Sequence, residues 1–149
     1  MAHDADILIV GGGLNGPSLA LALAQAGLSS MVIDALSEDV RSGAGFDGRS
    51  YALALASVRM LTALGLWDDL EGNAQPILEI KASDGRAGEG AAPFFLHFDH
   101  AELEEGPMGH MLEDRYLRQA LLQAMDASPL ITHRPGTRVV GQSTGSVTL

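Results

Sequence analysis

The 27 residues from Ile7 to Ile33, ILIVGGGLNGPSLALALAQAGLSSMVI, carry no charged side chain and are bracketed by Asp6 and Asp34. Such a run is long enough to cross a bilayer, for which roughly 20 apolar residues suffice. Its middle argues against that: Gly11, Gly12, Gly13, Asn15, Gly16 and Pro17 fall together, where a lipid-facing helix would lose backbone hydrogen bonds that nothing replaces. An export signal fails on its flank, because the six residues Met-Ala-His-Asp-Ala-Asp are acidic where a basic segment is required. What remains is a strand, a glycine turn and a helix. Ile7 to Val10 is a short continuous apolar run suited to a strand buried on both faces of a parallel sheet. Pro17 is tolerated in a helix's first turn, and Leu19, Ala20, Leu23 and Ala24 recur at helical spacing up to a capping Gly27. Leu21, Ala22 and Ala26 make that helix apolar nearly all round, which predicts that it is sandwiched between layers. Met31 to Ile33 then forms a second strand ending at Asp34.

Gly11-Gly12-Gly13-Leu14-Asn15-Gly16 fits G-x-G-x-x-G. In that pattern Gly11 permits the tight exit from the strand, Gly13 lets backbone amides approach a diphosphate, and Gly16 lets helix and strand pack closely. Asn15 lies inside the same turn. Asp34 stands 18 residues beyond Gly16, where a carboxylate accepts hydrogen bonds from a ribose diol and disfavours a 2'-phosphate. The phosphate charge is met by amides and a helix N-terminus, so an acidic chain can still hold the anion. Strand before, helix after and acid at the right distance predict a Rossmann-like α/β domain that binds a dinucleotide, although the turn alone does not separate NAD from FAD.

The 149 residues amount to one ordinary domain, and 46% hydrophobic with 19% charged residues is normal globular composition. The net charge is −10, with Lys81 the only lysine and the arginines scattered, so no basic stripe exists for nucleic acid or an anionic membrane surface. Zero cysteines exclude disulfides, thiolate metal sites and thiol nucleophiles, which leaves any redox chemistry to a bound cofactor and fits a cytoplasmic location. His3, His97, His100, His110 and His133 show no metal-ligand spacing and read as surface or packing residues.

Ala35 to Gly48 reads as a long loop, and loops of this length are usually functional. Ser50 is expected to cap a helix through Leu53, Ala54, Val58, Leu61 and Leu64 to Gly65, followed by a short Trp67 to Leu70 turn. The alternation of strand and helix then breaks. Ile77 to Ser83 and Phe94 to Phe98 read as strands whose connection contains the turn dipeptide Asp84-Gly85 and is too long for a tight hairpin; Met108 to Leu112 adds a further strand. This antiparallel excursion, about residues 76–112, is not the continuation an NAD dehydrogenase would show. Asp114 is expected to cap a helix with Tyr116, Leu117, Ala120, Leu121 and Ala124 on one face, and Leu130 to His133 to give a third parallel strand. Arg138 to Gly141 and Ser146 to Leu149 read as the start of an antiparallel meander, so the α/β domain is expected to be incomplete at its C-terminal end.

Phe46-Asp47-Gly48-Arg49-Ser50-Tyr51-Ala52-Leu53, followed by Ser57, Leu61, Leu64-Gly65 and Trp67, resembles the D-x-R-x-x-A-L signature of the UbiH-type flavin hydroxylases of ubiquinone biosynthesis. Ile80 with Ser83-Asp84, and Met108-Gly109-His110-Met111-Leu112-Glu113-Asp114, resemble two further stretches of that family. The resemblance implies an FAD-dependent aromatic hydroxylase in which NAD(P)H reduces the flavin and an oxygen atom from O2 is transferred to a small aromatic or polyprenylated phenol. It implies that Arg49 reaches the flavin's phosphate and ribityl region, that Asp114 stands at a cofactor-contacting position usually held by Asn, that Arg118 is a second partner one turn along, and that Val139 offers backbone groups to the adenine. Asp departs from the family's pattern at 114, since it accepts hydrogen bonds only.

No residue here reads as a catalytic acid or base. Relatives are considerably longer, so the chain reads as an amino-terminal fragment inactive by itself, with exposed edges favouring self-association into a homo-oligomer. A lipid-tailed substrate implies loose association of the full-length protein with the inner membrane, although no amphipathic anchor is visible. Three alternatives stay open: another FAD-dependent monooxygenase or reductase of the superfamily, an NAD-binding dehydrogenase domain with nicotinamide preference, and a non-catalytic nucleotide-binding module.

Overall fold

Alternating apolar tetrads and a glycine-punctuated helix generate the first unit of the fold: β1 (Ile7–Val10), α1 (Asn15–Gln25) and β2 (Ser30–Ile33). The chain continues through α2 (Glu38–Arg41), β3 (Ser50–Ala54), α3 (Leu55–Ala63), α4 (Trp67–Leu70), β4 (Gln75–Ile77), β5 (Glu79–Arg86), β6 (Gly90–Asp99), β7 (Gly109–Glu113), α5 (Asp114–Asp126), β8 (Ile131–Arg134), β9 (Gly141–Ser143) and β10 (Ser146–Thr148). This computed structural model describes residues 4–43, 45–143 and 146–148; His3, Leu149 and Ala44 of the expected loop lie outside the described residues. Strands β1, β2 and β8 form a parallel sheet with β2 in the centre, Val32 pairing with Ile9 on one side and His133 on the other. Strands β3, β7 and β4 form an antiparallel sheet with β7 central, and β5–β6 and β9–β10 are separate two-stranded ribbons.

Helix α5 joins the two larger sheets into one core. Its Leu117, Leu121, Leu122 and Met125 are buried in a cluster with Ile9, Val32 and Ile131 of the parallel sheet, Leu112 of β7, and Val58, Leu61 and Trp67 of the α3–α4 region. Trp67 meets His110 of β7 edge-on, with ring centroids 4.9 Å apart. Helix α1 ends as its sequence predicts: Gly27 takes φ 80°, its amide donates to Ala24, and the Leu28 amide donates to Leu23, satisfying carbonyls the helix leaves open.

Several expectations are corrected. Ser50 does not cap a helix; it opens β3, whose exposed and half-buried residues alternate with period two because the strand pairs with β7 from Ser50–Glu113 to Ala54–Gly109. The helix begins at Leu55 instead. The β5–β6 ribbon is a tight hairpin after all, with residues 87–89 as its turn, while Asp84-Gly85 sits inside β5 at a bulge where the register shifts. Ile77 belongs to β4, a partner of β7. Asp114 is the first residue of α5 but makes no capping bond.

Neither β1 nor α1 is buried on both sides. Val10 is 64% exposed, Leu8 37% and Leu19 49%: α1 and α5 pack on one face of the parallel sheet, and on the other face β1 stays open while Ile33 of β2 is buried. The β5–β6 ribbon is likewise one-sided. Ile80, Phe94, Leu96 and Phe98 share its more apolar face, and Phe95 joins Glu79, Lys81, His97 and Asp99 on the more polar one.

Core packing centred on α5 predicts that Leu121→Ala, at a side chain only 1% exposed, costs about 2–5 kcal/mol. Urea unfolding monitored by Trp67 fluorescence measures it, and Leu19→Ala on the open side of α1 is expected to cost well under half as much.

Candidate functional site

Three close approaches shape the turn between β1 and α1. Gly11 leaves the strand at φ 116°, a conformation few side chains tolerate, and its amide donates to the Ile33 carbonyl at 2.8 Å. A Cβ at Gly16 would collide with the Gly11 carbonyl oxygen, so the helix meets the strand exit at a separation that only glycine permits. A Cβ at Gly12 would collide with the Asp34 carboxylate. Gly13 is the opposite case, with nothing within 4 Å of the position its Cβ would take. It faces a groove of about 500 Å³ lined by Gly11, Gly13, Leu14, Asn15 and Gly16, with Ile9, Val10 and Leu19 adding apolar surface. The first amides of α1 have no partner within the helix, so the groove lies at an end built to meet negative charge.

Asp34 follows β2 and is 3% exposed. Its Oδ2 accepts Arg41 Nε at 2.5 Å, and its Oδ1 accepts Arg41 Nη2 and the Leu36 amide, each at 3.1 Å. Burial opposes the charge, but the Arg41 hydrogen bonds, the Leu36 amide and the Arg41 and His133 charges outweigh it and hold the carboxyl below its ordinary 3.8. Arg41 was not singled out from the sequence, and nothing in the spacing of the 35–48 segment marks it.

A second cluster forms where β3 meets α5. Asp114 is buried, and its Oδ1 accepts the Tyr51 hydroxyl at 2.9 Å. Its Oδ2 lies 2.9 Å from Arg118 Nη2 and 3.4 Å from Arg49 Nη2, charge contacts that lack hydrogen-bond geometry. Burial and the bond to Asp114 push the Tyr51 hydroxyl's pKa up, which keeps it a donor at neutral pH. Arg118 is more than an exposed helix residue: its Nη1 donates to the Val40 carbonyl at 3.2 Å and its Nη2 to Gly43 at 3.4 Å, tying α5 to the segment that carries Arg41. Arg49 is 57% exposed and turns its Nε and Nη2 onto Asp47 Oδ2, at 2.9 and 2.5 Å.

The expected residues thus fall into two groups. Gly11, Gly13, Asn15 and Gly16 line one groove with Asp34 against its turn, and Arg49, Asp114 and Arg118 meet one another. Val139 lies in the irregular stretch before β9, outside any strand and outside the groove lining. On the outer ribbon, Glu79, His97 and Asp99 bring ligand-type atoms within 4.8 Å of one another, a grouping set by cross-strand register and invisible in linear spacing. Glu79 there is already paired with Lys81 Nζ at 2.6 Å.

Residues 4–148 match the FAD binding domain family. The chain belongs to that family. Among its relatives, the ubiquinone hydroxylase UbiL of Rhodospirillum rubrum is 50% identical over 128 residues, 86% of this chain and 28% of the relative. The 3-demethoxyubiquinol 3-hydroxylase of Escherichia coli is 36% identical over 137 residues, 90% of this chain and 34% of that one. The chain therefore spans about a third of the length of these relatives. Among solved structures, the flavin-dependent monooxygenase PieE in complex with FAD and substrate superposes with a TM-score of 0.70 at 23% identity, over 95% of this chain and 26% of that one. The p-nitrophenol 4-monooxygenase PnpA of Pseudomonas putida gives 0.68 at 19% identity, over 92% and 33%. The fold is that of the FAD-dependent monooxygenases, a Rossmann-like α/β domain with antiparallel additions.

The Asp34–Arg41 pair sets an acid limit. With the folded pKa below 3.8, its stabilisation is fully present above that pH and lost as pH falls through the lowered folded value. Arg41→Gln is expected to cost about 1–3 kcal/mol at pH 7. The cost should shrink as pH falls below 3.8 through the lowered folded value, as read by urea unfolding of both proteins at pH 7 and at a series of acid pH values.

Proposed function

We propose that this chain is the FAD-binding portion of an NAD(P)H- and O2-dependent aromatic hydroxylase that acts on a polyprenylated phenol in ubiquinone biosynthesis. The observation that carries the flavin part is the cradle at Gly13: open space, amides at the end of an 11-residue helix, and a buried carboxylate at the neighbouring strand end. These residues fit a diphosphate linker, since a Cβ is excluded at Gly12 and Gly16 by the turn itself and at Gly13 would project into the space the linker needs. The substrate class is supported by the two relatives whose names specify hydroxylation in the ubiquinone series.

When bound, FAD supplies a ring that NAD(P)H reduces and from which an oxygen atom of O2 passes to the phenol. The chain's own part is to bind and orient. Gly13 lets the first amides of α1 approach the diphosphate, Gly11 and Gly16 shape the turn that presents them, and Asn15 stands in the first turn beside them. Asp34 accepts from the adenosine ribose, while Arg49, with Arg118 and Asp114 behind it, faces the flavin's phosphate and ribityl side. In the full-length protein a prenyl tail would bring the enzyme to the cytoplasmic surface of the inner membrane as a peripheral protein, and the exposed Leu8 and Val10 of β1 favour association with further chain or a second copy. No described helix is long and apolar enough to cross a membrane.

The test is a titration of purified protein with FAD. Wild type is expected to quench flavin fluorescence on binding, and Gly13→Glu, which fills the cradle and adds a like charge, to weaken binding at least about 100-fold. Equal binding by the two, or a preference for NADH over FAD in wild type, would reject the flavin site. Phenol-stimulated NAD(P)H oxidation by the full-length protein tests the hydroxylase part.

A further inference from the structure

The two side chains expected to touch the ends of the cofactor are already engaged by neighbours of opposite charge. Asp34 has three of its roughly four acceptor positions filled by Arg41 and the Leu36 amide, and the side bearing Oδ2 is pressed against Gly12. A ribose diol brings two further donors to a carboxylate with little left to offer. At the other group, Arg49 spends Nε and Nη2 on Asp47, and its own amide donates to Asp47 Oδ1 at 3.1 Å. A phosphate arriving there meets a guanidinium whose fork is occupied and a carboxylate that repels it. Both neighbours belong to the connection between β2 and β3, six residues apart.

We propose that Arg41 and Asp47 are internal competitors of the cofactor. Arg41 holds the acceptor positions of Asp34 that ribose donors would take, and Asp47 holds the donors of Arg49 that a phosphate would take. Binding exchanges each intramolecular ion pair for a contact with ligand, so the two pairs oppose the cofactor and set its affinity. This rests on the flavin reading above and goes beyond it by assigning opposing roles to two residues that lie outside the glycine turn.

The consequence is a gain of affinity on removing a charge. Titration calorimetry of the purified protein with FAD, ADP and FMN separates the two ends. Arg41→Gln, which still offers Asp34 one donor, is expected to tighten FAD and ADP about fivefold and to leave FMN unchanged. Asp47→Asn is expected to tighten FAD and FMN about threefold, and ADP as well, since its terminal phosphate is the one that FMN carries. A fivefold and a threefold gain correspond to about 1 and about 0.7 kcal/mol, a part of what each ion pair contributes. Should Arg41→Gln fail to fold, Arg41→Lys keeps the charge, loses the fork and is expected to tighten ADP about twofold. Binding of FAD by wild type with either variant no tighter than wild type overturns the competition and leaves the flavin site standing. Weaker ADP binding by Arg41→Gln makes Arg41 a ligand of the nucleotide and likewise overturns it. Failure of wild type to bind FAD, ADP or FMN overturns both readings.

Discussion

The approach of α1 to the end of β1 is the constraint on which the rest of the molecule turns. Because Gly16 has no side chain, the helix meets the Gly11 carbonyl almost directly, and that fixes the angle at which α1 crosses the parallel sheet. The angle in turn places Ala20 and Leu21 against the core that α5 completes. It also sets the free amides of the helix's first turn beside the end of β2, so that the Asp34 carboxylate lies against Gly12. One missing Cβ therefore determines both a packing contact and the position of an anion-holding surface.

Buried charge is handled in this fold by pairing within the chain. Asp34 and Asp114 are both about 3% exposed, and each is met by arginine: Asp34 by Arg41, Asp114 by Arg118 and Arg49. Arg118 then reaches the carbonyls of Val40 and Gly43, linking the two acids through one short stretch of chain. An acidic protein with one lysine has concentrated several of its few cations around two carboxylates. Neutralisation at these positions lowers the cost of burying charge, which is large for an unpaired carboxylate.

The parts legible in the sequence were those governed by local rules. The β1 strand, the glycine turn, the Gly27 helix end and the third parallel strand follow from apolar runs, glycine conformations and helical spacing, and each occupies nearly its expected place. The 50–54 segment misled because Ser50, Leu53 and Ala54 also satisfy a helical start; pairing with β7, some 60 residues away, selected the strand. The hairpin turn moved from Asp84-Gly85 to residues 87–89 because cross-strand register, not the turn dipeptide, decides where β5 reverses. Asp34 was recognisable by its distance from the glycines, but its partner Arg41 was not, since an ion pair formed across an irregular segment leaves no periodic trace. The meeting of Arg49, Tyr51, Asp114 and Arg118 depended in the same way on β3 lying beside the start of α5.

The β5–β6 ribbon stands apart from all this. None of its residues enters the buried cluster, and its two strands pair only with each other. An isolated strand pair is marginal in water, so its backbone pairing draws little support from the cooperative unit centred on α5. Phe94, at 86% exposure, and its exposed neighbours Phe95, Leu96 and Phe98 are apolar surface from which the ribbon could gain stability. Its order is thus borrowed: whatever comes to lie on those apolar side chains sets how firmly the hairpin holds its shape, and amide exchange along it reports the cover more than the domain beneath.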